Sequence, residues 1–234
     1  MKKTLTICLL LLFPSLASAD VYSLCVGVNK YALKKGKKDQ YGPDAHEMAQ
    51  LLRHHGAHSK ELCGVEATLP NVEAQFKHLA NVCKPTDVVF IFFSTHGGTS
   101  KKKGVFSVVL NDKAMKGDEI AECINNIKGK VVLVLDTCGA GGMLYYEVRP
   151  GICILSACTD REGSVGGARK PLCGFFASAV YQGLKGRADY NHNGVVDLQE
   201  LCRYVRDNRH VRGANHQHVQ IENKIGNIPL VRVR

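Results

Sequence analysis

An α/β fold, a mostly parallel six-stranded sheet with helices on both faces, is what this 234-residue sequence predicts, on three observations. Short runs of branched and aromatic residues alternate with amphipathic helical patterns. The strongest runs, VVFIFF (88–93) and VVLVL (131–135), are apolar throughout, as strands buried on both faces are. About 215 residues beyond an N-terminal leader are enough for one α/β domain with a full core.

The elements follow in order. YSLCVGV makes a strand at 22–28, and DAHEMAQLLRHH a helix at 44–55 with Asp44 at its start. A strand at 60–66 precedes a helix at 70–82. The apolar run at 87–93 is a strand; VFSVVL (105–110) is a small hairpin or excursion. A helix at 117–127 leads to strands at 131–136 and 152–157. Helices at 172–184 and 197–208 and a strand at 228–233 complete the set. The polar, glycine-containing segment TDREGSVGGARK (159–170) reads as a mobile loop. No internal repeat or low-complexity linker interrupts the chain.

Residues 1–19 read as a secretory signal peptide. Lys2 and Lys3 form its charged start, ICLLLLF lies in its apolar stretch, and Ala17-Ser18-Ala19 is its cleavage site. Residues 20–234 then form the exported domain, periplasmic or extracellular, with no membrane span. Loss of the leader lowers the formal charge from +10 to +8. The basic runs KKGKK (34–38) and KKK (101–103) lack aromatic interleaving, so solvated loops are expected and no specific nucleic-acid partner. Ten cysteines less Cys8 leave nine, room for one free thiol and one or two bridges of undetermined pairing.

STHGG (94–98) and DTCGAGG (136–142) each end an apolar strand, and reactive groups of parallel sheets gather at those carboxyl ends. His96 and Cys138 are therefore expected in one crevice. An imidazole accepts the thiol proton, and the thiolate can attack a peptide carbonyl. Backbone N–H groups of Gly97 and Cys138 are the candidate oxyanion donors.

With these motifs in place, the sequence resembles the caspase and metacaspase group of cysteine peptidases, in its bacterial metacaspase-like branch. YSLCVGVNKY, YGPDAHEMAQLLRHHG, FIFFSTHGG, VVLVLDTCGAGG, ICILSAC and GFFASAVYQGL carry the likeness in order, over nearly the whole exported chain. A caspase-like sandwich is the implied fold. One departure is Gly139-Ala140-Gly141, where metacaspases usually have His-Ser-Gly. The resemblance also implies a pocket for the residue before the cut, formed by Asp136, Asp44 and Ser94. Two carboxylates select a Lys or Arg. Asp44 has a second reading, as an N-cap of its own helix. Arg161, Arg169 and Lys170 would suit self-cleavage in the 159–170 loop.

DYNHNGVVDLQE (189–200) matches an EF-hand calcium loop. Asp189, Asn191, Asn193, the Val195 carbonyl, Asp197 and Glu200 are the donors, with Gly194 at the turn. The alternative is an Asx-rich helix-capping loop without metal. Histidines at 54–58 and 215–218 lack zinc-site spacing and read as exposed loop residues. No organic cofactor is implied. The leading expectation is an exported Cys-His endopeptidase, monomeric, acting on proteins or peptides with Arg or Lys before the cut. A legumain-like peptidase or transpeptidase and an inactive calcium-responsive binding module are the alternatives.

Overall fold

The computed structural model describes residues 19–28, 41–100, 102, 104–167, 172–208, 211 and 217–233. The expected leader, the KKGKK run, Arg169 and Lys170 lie outside these residues, apart from Ala19.

In chain order, strand β1 is Val21–Gly27, helix α1 Tyr41–His54, β2 His58–Cys63 and α2 Leu69–Val82. β3 (Val88–Ser94) is followed by three short strands, β4 (Gly97–Thr99), β5 (Phe106–Val109) and β6 (Ala114–Lys116). Then come α3 (Gly117–Asn125), β7 (Lys130–Asp136), β8 (Ile152–Ser156) and α4 (Phe175–Gln182). The chain closes with β9 (Val195–Asp197), α5 (Leu198–Asp207), β10 (Gln220–Asn223) and β11 (Pro229–Arg232).

The main sheet has six strands in the order β10-β8-β7-β3-β1-β2. Five are parallel, and β10 runs antiparallel to β8 at the edge. Parallel strands must be joined by crossovers, which places helices on the faces and buries both. The two faces alternate along each strand. Cys25, Phe92, Val134 and Leu155 point to one face, with Met48 of α1, Phe176 of α4 and Leu201 of α5. Val26, Ile91, Leu133 and Ile154 point to the other, with Phe76 of α2 and Ile120 of α3. All seven side chains of β3 are buried, which explains why its run is apolar without alternation.

The mostly parallel six-stranded sheet with helices on both faces is as expected. Its membership differs in one place. The strand expected at 228–233 forms, but pairs antiparallel with β9 in a separate two-stranded sheet. The sixth main-sheet strand is β10, QIEN, in which one apolar residue, Ile221, stands among partly or fully exposed polar ones and leaves no strand pattern to read. VFSVVL supplies the middle strand of the small β4-β5-β6 sheet. Among the described residues no helix is long and apolar enough to cross a membrane.

Candidate active site

β3 and β7 lie in parallel register, with Ser94 opposite Asp136. One step further, the Thr95 N–H donates to the Asp136 carbonyl at 3.4 Å. His96 and Cys138, each two residues past that pair, leave the sheet together at its carboxyl edge. Their neighbours stay in contact. A Cβ on Gly97 would overlap the Thr137 hydroxyl and stand 2.7 Å from the Ser107 carbonyl, so only glycine fits. His96 and Cys138 are both half-buried. The His96 carbonyl accepts the Val109 N–H at 2.7 Å, which ties the histidine loop to the small sheet.

The turn after Cys138 is held from two sides. Gly139 sits at φ +65°, and a Cβ there would come within 2.6 Å of the Thr99 nitrogen. The glycine that departs from the usual metacaspase pattern is thus required by the local packing. The Gly139 N–H donates to the Glu162 carbonyl and the Gly141 N–H to the Cys158 carbonyl, both at 2.8 Å. The Thr99 hydroxyl donates to the Gly139 carbonyl at 3.0 Å. Segment 158–163 thus wraps the turn, and a Cβ on Gly163 would stand 3.7 Å from the Cys138 sulfur.

Asp44 and Asp136 converge on Gly174, and both are buried. Asp44 Oδ1 accepts the Cys173 N–H at 2.7 Å. Its Oδ2 accepts the Ser94 hydroxyl and the Gly174 N–H, each at 3.3 Å. Asp44 stands in the first turn of α1, yet its carboxylate bonds across to β3 and the 173–174 backbone. Asp136 Oδ1 accepts a short hydrogen bond from the Ser164 hydroxyl, and Oδ2 accepts the Ala177 N–H at 3.2 Å. A Cβ on Gly174 would collide with Asp136 Oδ2, so this glycine makes the space between the two acids.

Burial raises both acids. Asp136 is pushed up to about 7, by desolvation first and by the neighbouring Asp44 charge, against the pull of Ser164 and Ala177. Asp44 is also raised by burial, opposed by the Cys173 and Gly174 N–H groups and the Ser94 hydroxyl. A cation entering here would relieve a standing electrostatic cost.

Sequence reasoning placed Ser94, Asp44 and Asp136 together but missed Ser164, Cys173, Gly174 and Ala177. Three of those four act through the backbone, and a backbone N–H leaves no residue-type signal. Glu162 was also missed. Burial works against its charge, but the N–H groups of Thr159 and His218 and the His218 imidazole outweigh it and hold the carboxyl down to about 2. His218, read as a loop histidine, is exposed and pairs with this acid.

The 189–200 loop folds around its own acids. Asp189 accepts the Asn193 and Gly194 N–H groups at 3.1 and 3.0 Å. Asn191 accepts the Asn193 N–H at 2.9 Å, and Asn193 the Val195 N–H at 2.8 Å. Asp197 N-caps α5 in a capping box with Glu200, whose other oxygen accepts the Tyr190 N–H at 3.2 Å. Gly194 takes φ +77°, as the turn position requires. The donor residues therefore share one loop, with their oxygens turned to backbone N–H groups. Among the described residues no three His, Cys, Asp or Glu side chains gather as a metal-holding group.

Against known proteins, residues 21–224 match the family model of the caspase domain. The fold is similar to the crystal structure of a Geobacter sulfurreducens protein (TM-score 0.67), 17% identical over 87% of this chain and 92% of that one. It is also similar to caspase-1 from Spodoptera frugiperda (TM-score 0.63), 12% identical over 92% of this chain and 90% of that one. At such identities the likeness is one of fold. No curated protein sequence matches.

Proposed function

The chain belongs to the caspase-domain family and so has a cysteine-peptidase type of function; from that premise we propose an exported endopeptidase that cuts after Arg or Lys. Cys138 is the nucleophile and His96 its base. The imidazole takes the thiol proton, and the thiolate attacks the carbonyl carbon. The resulting imidazolium then protonates the leaving amine as the C–N bond breaks, leaving a thioester on Cys138. Water, deprotonated by His96, hydrolyses it. The N–H groups of Gly139 and Gly141 already serve the Glu162 and Cys158 carbonyls, so we assign the oxyanion to Cys138 and Gly97.

The observation that carries the specificity is the pair of buried carboxylates around Gly174: Asp136 at the end of β7, two residues before Cys138, and Asp44 from α1, bonded to Ser94 at the end of β3. Ser94 fixes one oxygen of Asp44. An arginine or lysine side chain would meet two acids that burial has made uncomfortable. The leader read in residues 1–19 supports export. Calcium at the 189–200 loop is a separate proposal, supported by its donor spacing and by Gly194. Asp189, Asn191, Asn193, the Val195 carbonyl, Asp197 and Glu200 would hold the ion, which there would stiffen the α4–α5 connection.

Fluorogenic peptides ending in Arg, Lys, Asn or Asp test the assignment. Turnover is expected for Arg and Lys alone and should fall by about a thousandfold or more in Cys138→Ala and His96→Ala. Turnover of the Asn reporter would replace this reading with a legumain-like one. No turnover, together with no thiol-directed labelling selective for Cys138, would leave a binding module.

A further inference from the structure

Nine of the ten cysteines lie among the described residues, and all nine are thiols rather than bridged. One of them, Cys158, is fully buried beside the turn that carries Cys138. The chain reaches it two residues past the end of β8, and three bonds join this stretch to the turn. The Ser156 hydroxyl donates to the Ala140 carbonyl at 3.1 Å. The Cys158 carbonyl accepts the Gly141 N–H at 2.8 Å. The Cys158 thiol donates to the Thr137 carbonyl, with sulfur and oxygen 3.4 Å apart. The same sulfur stands 3.3 Å from the Glu162 carbonyl, which accepts the Gly139 N–H.

The Thr137 carbonyl matters because of what lies across its peptide bond. That carbonyl and the Cys138 N–H belong to one planar unit, and in a trans peptide they point opposite ways. Whatever fixes the oxygen therefore fixes the direction of the N–H. The residues that follow include Gly139, Gly141 and Gly142, which bring no side chains to hold the plane.

We propose that Cys158 is a positioning residue for the peptidase reaction: its thiol, bonded to the Thr137 carbonyl, holds the 137–138 peptide so that the Cys138 N–H faces the oxyanion. The proposal rests on the reading of Cys138 as nucleophile and of its own N–H as an oxyanion donor. Cys158 acts through that peptide and not on substrate. Polarisation works in the same direction, since a hydrogen bond accepted at a peptide oxygen strengthens the donor at the other end. Burial keeps the sulfur protonated and able to donate. Desolvation pushes the thiol up to about 12, although the Ala140 and Gly139 N–H groups pull the other way.

Two substitutions test this in the full chain. Cys158→Ala removes the donor, and Cys158→Ser supplies another. With an Arg reporter, kcat should fall roughly tenfold in Cys158→Ala, less than outright loss of an oxyanion donor costs, while KM stays within about twofold. Cys158→Ser should recover most of that loss. A peptidyl-arginine aldehyde reports on the oxyanion directly. Cys138 adds to the aldehyde carbon, its proton passes to His96, and the former carbonyl oxygen carries the negative charge. The aldehyde should bind Cys158→Ala roughly tenfold more weakly. Alkylation of Cys138 by iodoacetamide builds no oxyanion, so its rate, followed by mass spectrometry, should match the parent.

An alkylation rate that falls along with kcat would mark a merely structural role and overturn the proposal. So would a Cys158→Ser variant no better than Cys158→Ala. Undiminished kcat in Cys158→Ala would overturn it and leave the peptidase reading standing. A parent that neither turns over the reporter nor is alkylated at Cys138 would sink both together. One measurement needs no variant. Thr137-Cys138 is the only Thr-Cys step in the sequence, so labelling threonine carbonyl carbons and cysteine nitrogens gives a single NMR correlation for this peptide. Its amide proton should move downfield when the aldehyde binds the parent, and an unmoved proton in the bound parent would overturn the proposal.

Discussion

Asp136 is raised by its burial at the end of β7. Among the described residues, the groups that shape it are the Ser164 hydroxyl, the Ala177 N–H and a second carboxylate, Asp44. Its folded value of about 7 lies above that of an unfolded aspartate, near ~3.9. The folded state therefore holds a proton that the unfolded chain gives up earlier. Stability is fully present below about pH 4, declines as pH rises and levels off above about 7. Asp136→Asn keeps the shape, with its oxygen free to accept the Ala177 N–H and its amide to donate to Ser164. It should stabilise the protein by roughly 2–4 kcal/mol at pH 8, with the gain vanishing toward pH 4, as denaturant melts at both pH values would show. The same substitution should lower kcat/KM for an Arg reporter about a hundredfold or more. In the parent enzyme, kcat/KM for that reporter should rise with pH through about 7, and the variant should lose the part of this rise that Asp136 contributes.

At the scale of elements, the site was legible where strands end. VVFIFF and VVLVL are apolar because both faces are covered, and the residues that follow each run stand at the sheet's carboxyl edge. Register then set Ser94 opposite Asp136, with His96 and Cys138 each two residues further along. The other wall, from residues 158–167 and 172–177, was not legible as a wall for a physical reason. The composition of 159–167 looks like any exposed loop, and most of the wall's contributions come from main-chain N–H groups. Asp44 illustrates the limit: the resemblance put it in the pocket, an aspartate opening a helix also reads as a cap, and only tertiary contact reveals the bonds to Ser94, Cys173 and Gly174. The 189–200 loop poses the converse problem, since the same Asx residues serve a metal or their own backbone. Weak affinity, in the ~10⁻⁴–10⁻³ M range of extracellular modules, predicts that 10 mM CaCl2 raises the melting midpoint by a few degrees. Asp189→Ala should abolish that increment, and an equal increment in the variant would sink the calcium assignment.

Over the whole molecule, the alternation of strand and helix was enough to reach the layered architecture. It was not enough to assign strand partners. Strand β11 was visible as an apolar run but joined β9, and β10 became the sheet edge with a sequence that shows no strand pattern. Both edges carry charge: Lys60 and Glu61 on β2, and Glu222 on β10 beside Lys224, with which it forms a 3.1 Å ion pair. Charged, short edges resist pairing with another copy. Among the described residues, the exposed large apolar ones, Val65, Val82, Tyr145 and Tyr190, come from four different segments. Sedimentation at tens of micromolar should therefore show a single monomeric species, and a concentration-dependent dimer would contradict this.

The parallel pairing of β3 with β7 has one more effect. Ser94 and Asp136 are about 40 residues apart in the chain, and no short turn can bring them together. Contacts of such long span form late, because loop closure must come first. On the proposed pairing of Cys138 with His96, a half-synthesised or half-folded copy would therefore hold a harmless thiol and a harmless imidazole, and cutting power would arrive only with the finished sheet.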